Sequence, residues 1–382
     1  MNRRIGLRGS SVRRVLVCST SWLLGGLLFC LSLLIVAPPP HYLLWQLSIP
    51  VQEWGYWLVP VALSLAVAFG RSRGVVRGAG VLAALAVLLL LLVPVRAALL
   101  VGRLPEAVGA RLSIRALLMG TQGQDATPRR FTFGEPSGVS LVLDYYAPLS
   151  RDRLPPLVVV IHGGGWRGGA PTDLPALNHR LAARGIAVAA ITYRFTPAHR
   201  FPAALDDVHT AVSYLRRHAG ELAFDSTRIV LLGRSAGAHL ALLAAYTTRD
   251  PSVRGVISFY GPTDLSWAWE HPSPPLVYDS RGTLRDLTGG TPADRPDVYV
   301  AASPVSYLDS AIPTLLVHGA LDPLVSVEHS RMLADSLRRR GKDVTHIELP
   351  WATHGCDFAF NGPCGQISTA AVERFVERIS AN

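Results

Sequence analysis

The stretch Ile229-Val230-Leu231-Leu232-Gly233-Arg234-Ser235-Ala236-Gly237-Ala238-His239-Leu240 decides how this chain folds. Its first four residues are an unbroken aliphatic run, the pattern of a strand buried on both faces. From Ala236 the side chains become small and helix-forming, and that run continues to Tyr246. Between the two lies Gly233-Arg234-Ser235-Ala236-Gly237, a G-x-S-x-G turn from strand to helix. So sharp a turn drives the serine into a strained backbone conformation, and the glycines on either side leave room for it. The helix that opens there presents free backbone N–H groups beside the serine oxygen. G-x-S-x-G is a common string. Its position between a strand and a helix is what makes Ser235 a candidate nucleophile.

Outward from this turn, apolar runs alternate with helical patterns. Residues 139–145, 157–161, 186–193, 228–232, 253–260, 313–318 and 344–349 read as strands. Residues 173–184, 201–218, 236–246, 325–340 and 369–380 read as helices, and Ala204, Val208, Ala211, Val212 and Leu215 mark the inner face of one of them. The alternation predicts an α/β domain over 126–382, a mostly parallel sheet with helices on both faces. Residues 265–300, rich in Pro, Trp and Gly, break the rhythm and read as a lid-like insertion.

Three further pieces carry chemistry. After the strand 157–161 comes His162-Gly163-Gly164-Gly165-Trp166. A glycine run lets backbone N–H groups approach an oxyanion without obstruction. Asp322 and His354 each follow a strand, at the sheet edge where open parallel sheets place ligands. Their order, Ser235, Asp322, His354, suits a triad in which His354 takes the serine proton and Asp322 holds the imidazole. Asp264, also just past a strand, is the rival for the acid. Trp166, Trp267 and Trp269 either line an apolar substrate pocket or pack the core. Asp206 and Asp207 read as structural ion-pair partners. His179, His209, His239 and His329 are not spaced as metal ligands. The expectation is therefore a site with neither metal nor cofactor.

These pieces together resemble the α/β-hydrolase superfamily, and within it the carboxylesterases with an HGGG-type oxyanion loop, hormone-sensitive-lipase-like and feruloyl-esterase-like. Tyr193-Arg194, the helix start at 201–207 and Ser235-Ala236-Gly237-Ala238-His239-Leu240 match the same group. The resemblance covers roughly residues 126–382. It implies an α/β-hydrolase fold, ester cleavage through an acyl-enzyme on Ser235, and oxyanion donors at the N–H groups of Gly163, Gly164 and Ala236. Arg234 and Ala238 depart from it, standing where Asp or His and where Gly are commoner.

Residues 1–125 differ in kind. They hold 12 arginines against three acidic residues, whereas residues 126–382 balance 25 basic against 24 acidic. Of the net charge of +10, +9 thus belongs to the apolar region. The globular part has no basic surplus of the kind that marks nucleic-acid binding, so no nucleic-acid partner is expected. Apolar runs at 15–37, 51–69 and 81–100 each approach the roughly 20 residues that cross a bilayer. The first also has the basic start of a signal peptide, but it lacks a small-residue cleavage site and two more runs follow. Arg3, Arg4, Arg8, Arg13 and Arg14 precede the first run, and Arg71, Arg73 and Arg77 sit between the second and third. That placement predicts a cytoplasmic N-terminus and an extracytoplasmic globular domain. Outside the cytoplasm, Cys356 and Cys364 are free to form a disulfide.

The expected protein is thus a multi-pass, membrane-anchored serine hydrolase acting on a small-molecule or lipid-like ester, with the bilayer as its partner. A deacylase or acyltransferase working on cell-envelope polymers is the alternative within the same chemistry. A non-catalytic interaction module on a hydrolase scaffold is the alternative outside it.

Overall fold

A computed structural model describes residues 5–72, 74–120, 126–149, 154–248 and 250–381. The domain boundary expected at 125/126 adjoins residues 121–125, which lie outside the described residues, as do Arg3, Arg4 and Arg73. Among the described residues the strands are β1 (Arg129–Gly134), β2 (Leu141–Tyr146), β3 (Leu157–Ile161), β4 (Ala187–Ile191), β5 (Ile229–Arg234), β6 (Val253–Phe259), β7 (Thr314–Gly319) and β8 (Val344–Leu349). They form one sheet in the order β1-β2-β4-β3-β5-β6-β7-β8. β2 pairs antiparallel with β1 and β4; every other pairing is parallel. β1 was not expected. It is an edge strand with exposed Arg129 and Arg130, the latter bonded to Asp144 of β2 at 2.7 Å, so its local pattern looks like linker.

The period of two along β5 assigns its side chains to the two layers. Ile229 and Leu231 face one core, Val230 and Leu232 the other. The first core is covered by α7 (Ala203–Arg217), with α8 (Ala219–Leu222) after it, by α9 (Ala236–Thr247) and by α13 (Glu328–Arg339). The second is covered by α6 (Ala176–Ala183) and α14 (Pro363–Ser380). α9 is buried on all sides from Ala236 to Tyr246, which its largely Ala, Gly and Leu sequence permits. The insertion is less irregular than its composition suggests. It folds as α10 (Leu265–Glu270), α11 (Ser280–Thr288) and α12 (Pro296–Ala301). Asp264 and Asp279 cap the first two, and Pro296 opens the third.

The N-terminal region is all-helical: α1 (Ile5–Leu33), α2 (Tyr42–Trp54), α3 (Val59–Gly70), α4 (Val76–Arg103) and the short α5 (Ile114–Met119). The stretches Leu16–Leu33, Tyr42–Gly70 and Val76–Arg103 are long and apolar enough to cross a membrane. The second begins at Tyr42, earlier than the run expected from residue 51. Ser48, Gln52 and Glu53 make that segment look too polar, but all three are buried against protein. Gln52 Nε2, for instance, donates to the Leu34 carbonyl at 2.8 Å. The second core reaches into this region: Ile35, Val51 and Leu90 belong to the same buried cluster as Trp351, Phe375 and Val230.

Candidate active site

The strand order reverses between β3 and β5, and open α/β sheets form their crevice at such a switch point. The glycine loop leaves the carboxyl end of β3 there and the Ser235 turn leaves that of β5, with Ile161 in register with Gly233. Ser235 has φ 54° and ψ −119°, the strained conformation expected of the turn. Its flanking glycines are obligatory for space. A Cβ on Gly233 would strike the Gly237 carbonyl, and one on Gly237 would strike the Ile161 carbonyl.

Gly163 lies against the Ser235 turn: a Cβ there would be 3.1 Å from the Arg234 carbonyl oxygen and 3.4 Å from Ser235 Cβ. Gly164 and Gly165 take positive φ, 110° and 60°. Ala236 is the first residue of α9, so its N–H is one of the helix's unpaired donors. His162 anchors the loop from below. It stacks on Tyr193 at 4.5 Å, and the Tyr193 hydroxyl donates to the His162 carbonyl at 3.2 Å. Burial lowers the His162 pKa and keeps the ring neutral.

Asp322 and His354 meet. His354 Nδ1 donates to Asp322 Oδ2 at 2.6 Å, leaving Nε2 free to accept a proton. Asp322 is held on all sides: Oδ1 accepts the N–H groups of Leu324 and Val325 at 2.8 and 2.9 Å, and His318 Nε2 donates to Oδ2 at 3.2 Å. Burial by itself would raise this carboxyl's pKa. The neighbouring His354 and the hydrogen bonds from both histidines outweigh it and hold Asp322 well below the usual carboxylate range. Asp264 has a different task, accepting the Trp267 N–H at 3.0 Å as the cap of α10.

Tyr260 joins the serine side to the histidine side. Ser235 N–H donates to the carbonyl of Phe259 at 2.9 Å, and the next ring, Tyr260, lies 4.4 Å from the His354 imidazole. No hydrogen bond links Ser235 Oγ to His354 among the described residues; such contacts often tighten only around substrate. Behind Tyr260, its hydroxyl and the Arg234 Nε both donate to Asp357, each at 2.5 Å, in a buried network. Sequence reasoning flagged Arg234 only as a departure from pattern. Its partner lies 123 residues away, and no local signal joins them.

The other sequence candidates fall further out. Trp166 is buried, and its indole N–H points at His239 Nδ1 (3.3 Å). Trp267 stacks on His271 and meets His329 edge-on, and Trp269 meets Tyr299 edge-on. Asp207 pairs with Arg194 at 2.7 Å, the structural ion pair expected of that cluster. Residues 265–300 bridge the rims of the site. Tyr278 abuts Gly165 of the glycine loop, and Ser273 Oγ donates to the Leu324 carbonyl beside Asp322 at 2.6 Å. Cys356 and Cys364, on the segment after His354, form a disulfide.

Known proteins resemble this chain in sequence or in fold. The esterase LipC of Mycobacterium tuberculosis is 34% identical over 218 residues, covering 53% of this chain and 53% of that protein. The esterase LipQ of the same organism is 31% identical over 241 residues, covering 59% of this chain and 56% of that protein. The chain spans about half the length of the curated relatives it matches. A bacterial heroin esterase superposes with a TM-score of 0.58 at 24% identity, covering 70% of this chain and 88% of its own. A hyperthermophilic esterase from the archaeon Pyrobaculum calidifontis gives 0.59 at 22% identity, covering 75% and 88%. At those identities the likeness is one of fold. Residues 143–337, half of the chain, match the BD-FAE family model. The chain therefore has the α/β-hydrolase fold and belongs to the BD-FAE family.

Proposed function

We propose that the protein is a membrane-anchored serine carboxylic-ester hydrolase. The observation that carries this reading is the 2.6 Å bond from His354 Nδ1 to Asp322, together with a serine at φ 54° on a strand-to-helix turn of the same sheet. In this mechanism His354 Nε2 takes the Ser235 proton as Oγ attacks the ester carbonyl. The N–H groups of Gly163, Gly164 and Ala236 receive the oxyanion. His354 then protonates the leaving alcohol, and water releases the acyl group from Ser235 by the reverse sequence. Asp322, held ionised, fixes the imidazole tautomer and stabilises its cation. Several relatives carry esterase names, which favours this chemistry over a non-catalytic scaffold.

The apolar stretches Leu16–Leu33, Tyr42–Gly70 and Val76–Arg103 serve as the anchor. The arginine placement orients the catalytic domain outward, and the Cys356–Cys364 disulfide is consistent with an oxidising compartment. The insertion at 265–300, whose Tyr278 abuts Gly165, forms a wall of the substrate site. The full chain, purified in detergent, should hydrolyse short p-nitrophenyl esters, and Ser235→Ala should abolish turnover. A wild-type protein without Ser235-dependent turnover across a broad ester panel overturns the proposal.

A further inference from the structure

We infer that helix α2, in the apolar N-terminal region, is a positioning element of the catalytic site and acts on His354 through Trp45 and Glu53. The inference rests on His354 being the general base.

Trp45, Ile49 and Glu53 are spaced four residues apart, so they lie along one face of α2. Each meets the segment between β8 and α14 that carries His354. Trp45 Nε1 donates to the His354 carbonyl at 3.2 Å, and the two rings lie 6.4 Å apart. Ile49 Cδ1 sits 3.8 Å from where a Cβ on Gly355 would stand. Glu53 closes the base of the segment: Oε1 accepts the Trp351 Nε1–H at 3.1 Å, and Oε2 accepts the Cys364 N–H at 2.8 Å. Glu53 is fully buried, so both donors would be left unpaired in the interior without it.

The segment has other holds: the Cys356–Cys364 disulfide, the bonds of Asp357 to Arg234 and Tyr260, and the Tyr260 ring 4.4 Å from the imidazole. Asp322 fixes the imidazole at Nδ1, and Leu321 N–H donates to the Ala352 carbonyl at 3.0 Å. Those contacts act on the ring and on the chain to either side of it, whereas Trp45 holds the His354 carbonyl itself. The contacts from α2 act on the His354 backbone and on both ends of the loop, which sets the direction in which Nε2 points. Catalytic groups lose large factors for ångström-scale displacements. Anchoring alone does not require a carbonyl of the catalytic residue as the anchor point.

Trp45→Phe keeps a ring and deletes the donor. Glu53→Gln leaves one acceptor for two donors. Leu43→Ala, on an exposed part of α2, is the control. All are tested as full-length protein in detergent on a small water-soluble p-nitrophenyl ester, by kcat, KM, the pH profile of kcat/KM and thermal unfolding. Trp45→Phe and Glu53→Gln should lower kcat about fivefold or more at nearly constant KM and move the acid limb of the profile, while Leu43→Ala does neither. Glu53→Gln is the more disruptive of the two, so Trp45→Phe decides if it fails to fold. Wild-type kcat and pH profile in Trp45→Phe, with or without a fall in unfolding temperature, overturn the inference and leave the ester-hydrolase reading intact. Absence of turnover in the wild type itself points instead to failure of that reading.

Discussion

Lowering the pH should destabilise this protein through His239, and a single substitution isolates the effect. His239 is fully buried on α9, where its Nδ1 accepts from Trp166 Nε1 at 3.3 Å and its Nε2 donates to the Ala302 carbonyl at 2.6 Å. The bond from Trp166 needs the neutral ring, whereas the one to Ala302 survives protonation. Burial lowers its pKa from 6.5 to about 4, against a weaker opposing effect from the Ala302 carbonyl. Between those values the unfolded chain binds the proton and the folded one does not, so stability rises with pH. The contribution is intact above about pH 6.5 and is lost as pH falls toward 4. The full gap amounts to roughly 3 kcal/mol, of which about 2 kcal/mol is gone by pH 5. At about 2–4 °C per kcal/mol for a domain of this size, that lowers the unfolding temperature by about 4–8 °C. His329 and His346, also pushed down by burial, to about 3 and about 4, add to the same trend. In His239→Gln the amide can accept from Trp166 and donate to Ala302 without titrating. Thermal unfolding in detergent at fixed scan rate, at pH 7 and pH 5, should show the variant losing about 4–8 °C less than wild type. Equal losses in the two proteins refute the reasoning.

Four other outcomes follow from the geometry. Asp322→Asn should lower kcat by roughly three to four orders of magnitude, whereas Asp264→Asn should leave it nearly unchanged, as steady-state ester hydrolysis will show. Gly163→Ala puts a methyl 3.4 Å from Ser235 Cβ and should cost about 100-fold in kcat with little change in KM. Asp357→Ala strands the buried Arg234 guanidinium and should cost about 3–5 kcal/mol, read from the denaturant midpoint. Thiol titration of the denatured, unreduced chain should find only Cys18 and Cys30, with Cys356 and Cys364 appearing after reduction.

The residues of the candidate site were legible because each is announced locally. Ser235, the glycines at 163–165, Asp322 and His354 all sit one turn past an apolar run, and sequence shows both the run and the turn. β1 escaped because an edge strand is half solvated and its exposed arginines carry no buried pattern. The helices of the insertion escaped because Pro and Gly cut them into pieces too short for periodicity to register. Trp45, Glu53 and Arg234 escaped for another reason. A polar side chain within an apolar run looks like a defect until its partner is known, and the partners of Glu53 lie 298 and 311 residues further along. Burial compensated across such distances leaves no mark in any window of sequence.

The second core, shared by the sheet and the N-terminal helices, bears on the order in which the protein is made. α1 to α4 leave the ribosome before any strand does. The face of α14 that holds Ile367, Phe375 and Ile379 emerges after every strand, and it joins a cluster that already contains Ile35 and Leu90. The α/β half therefore completes itself on a surface laid down earlier in the same chain. An excised soluble half, begun after α5, would present Trp351, Cys364 and their neighbours to water, with aggregation the expected fate. The N-terminal helices act as a template for the half that follows them.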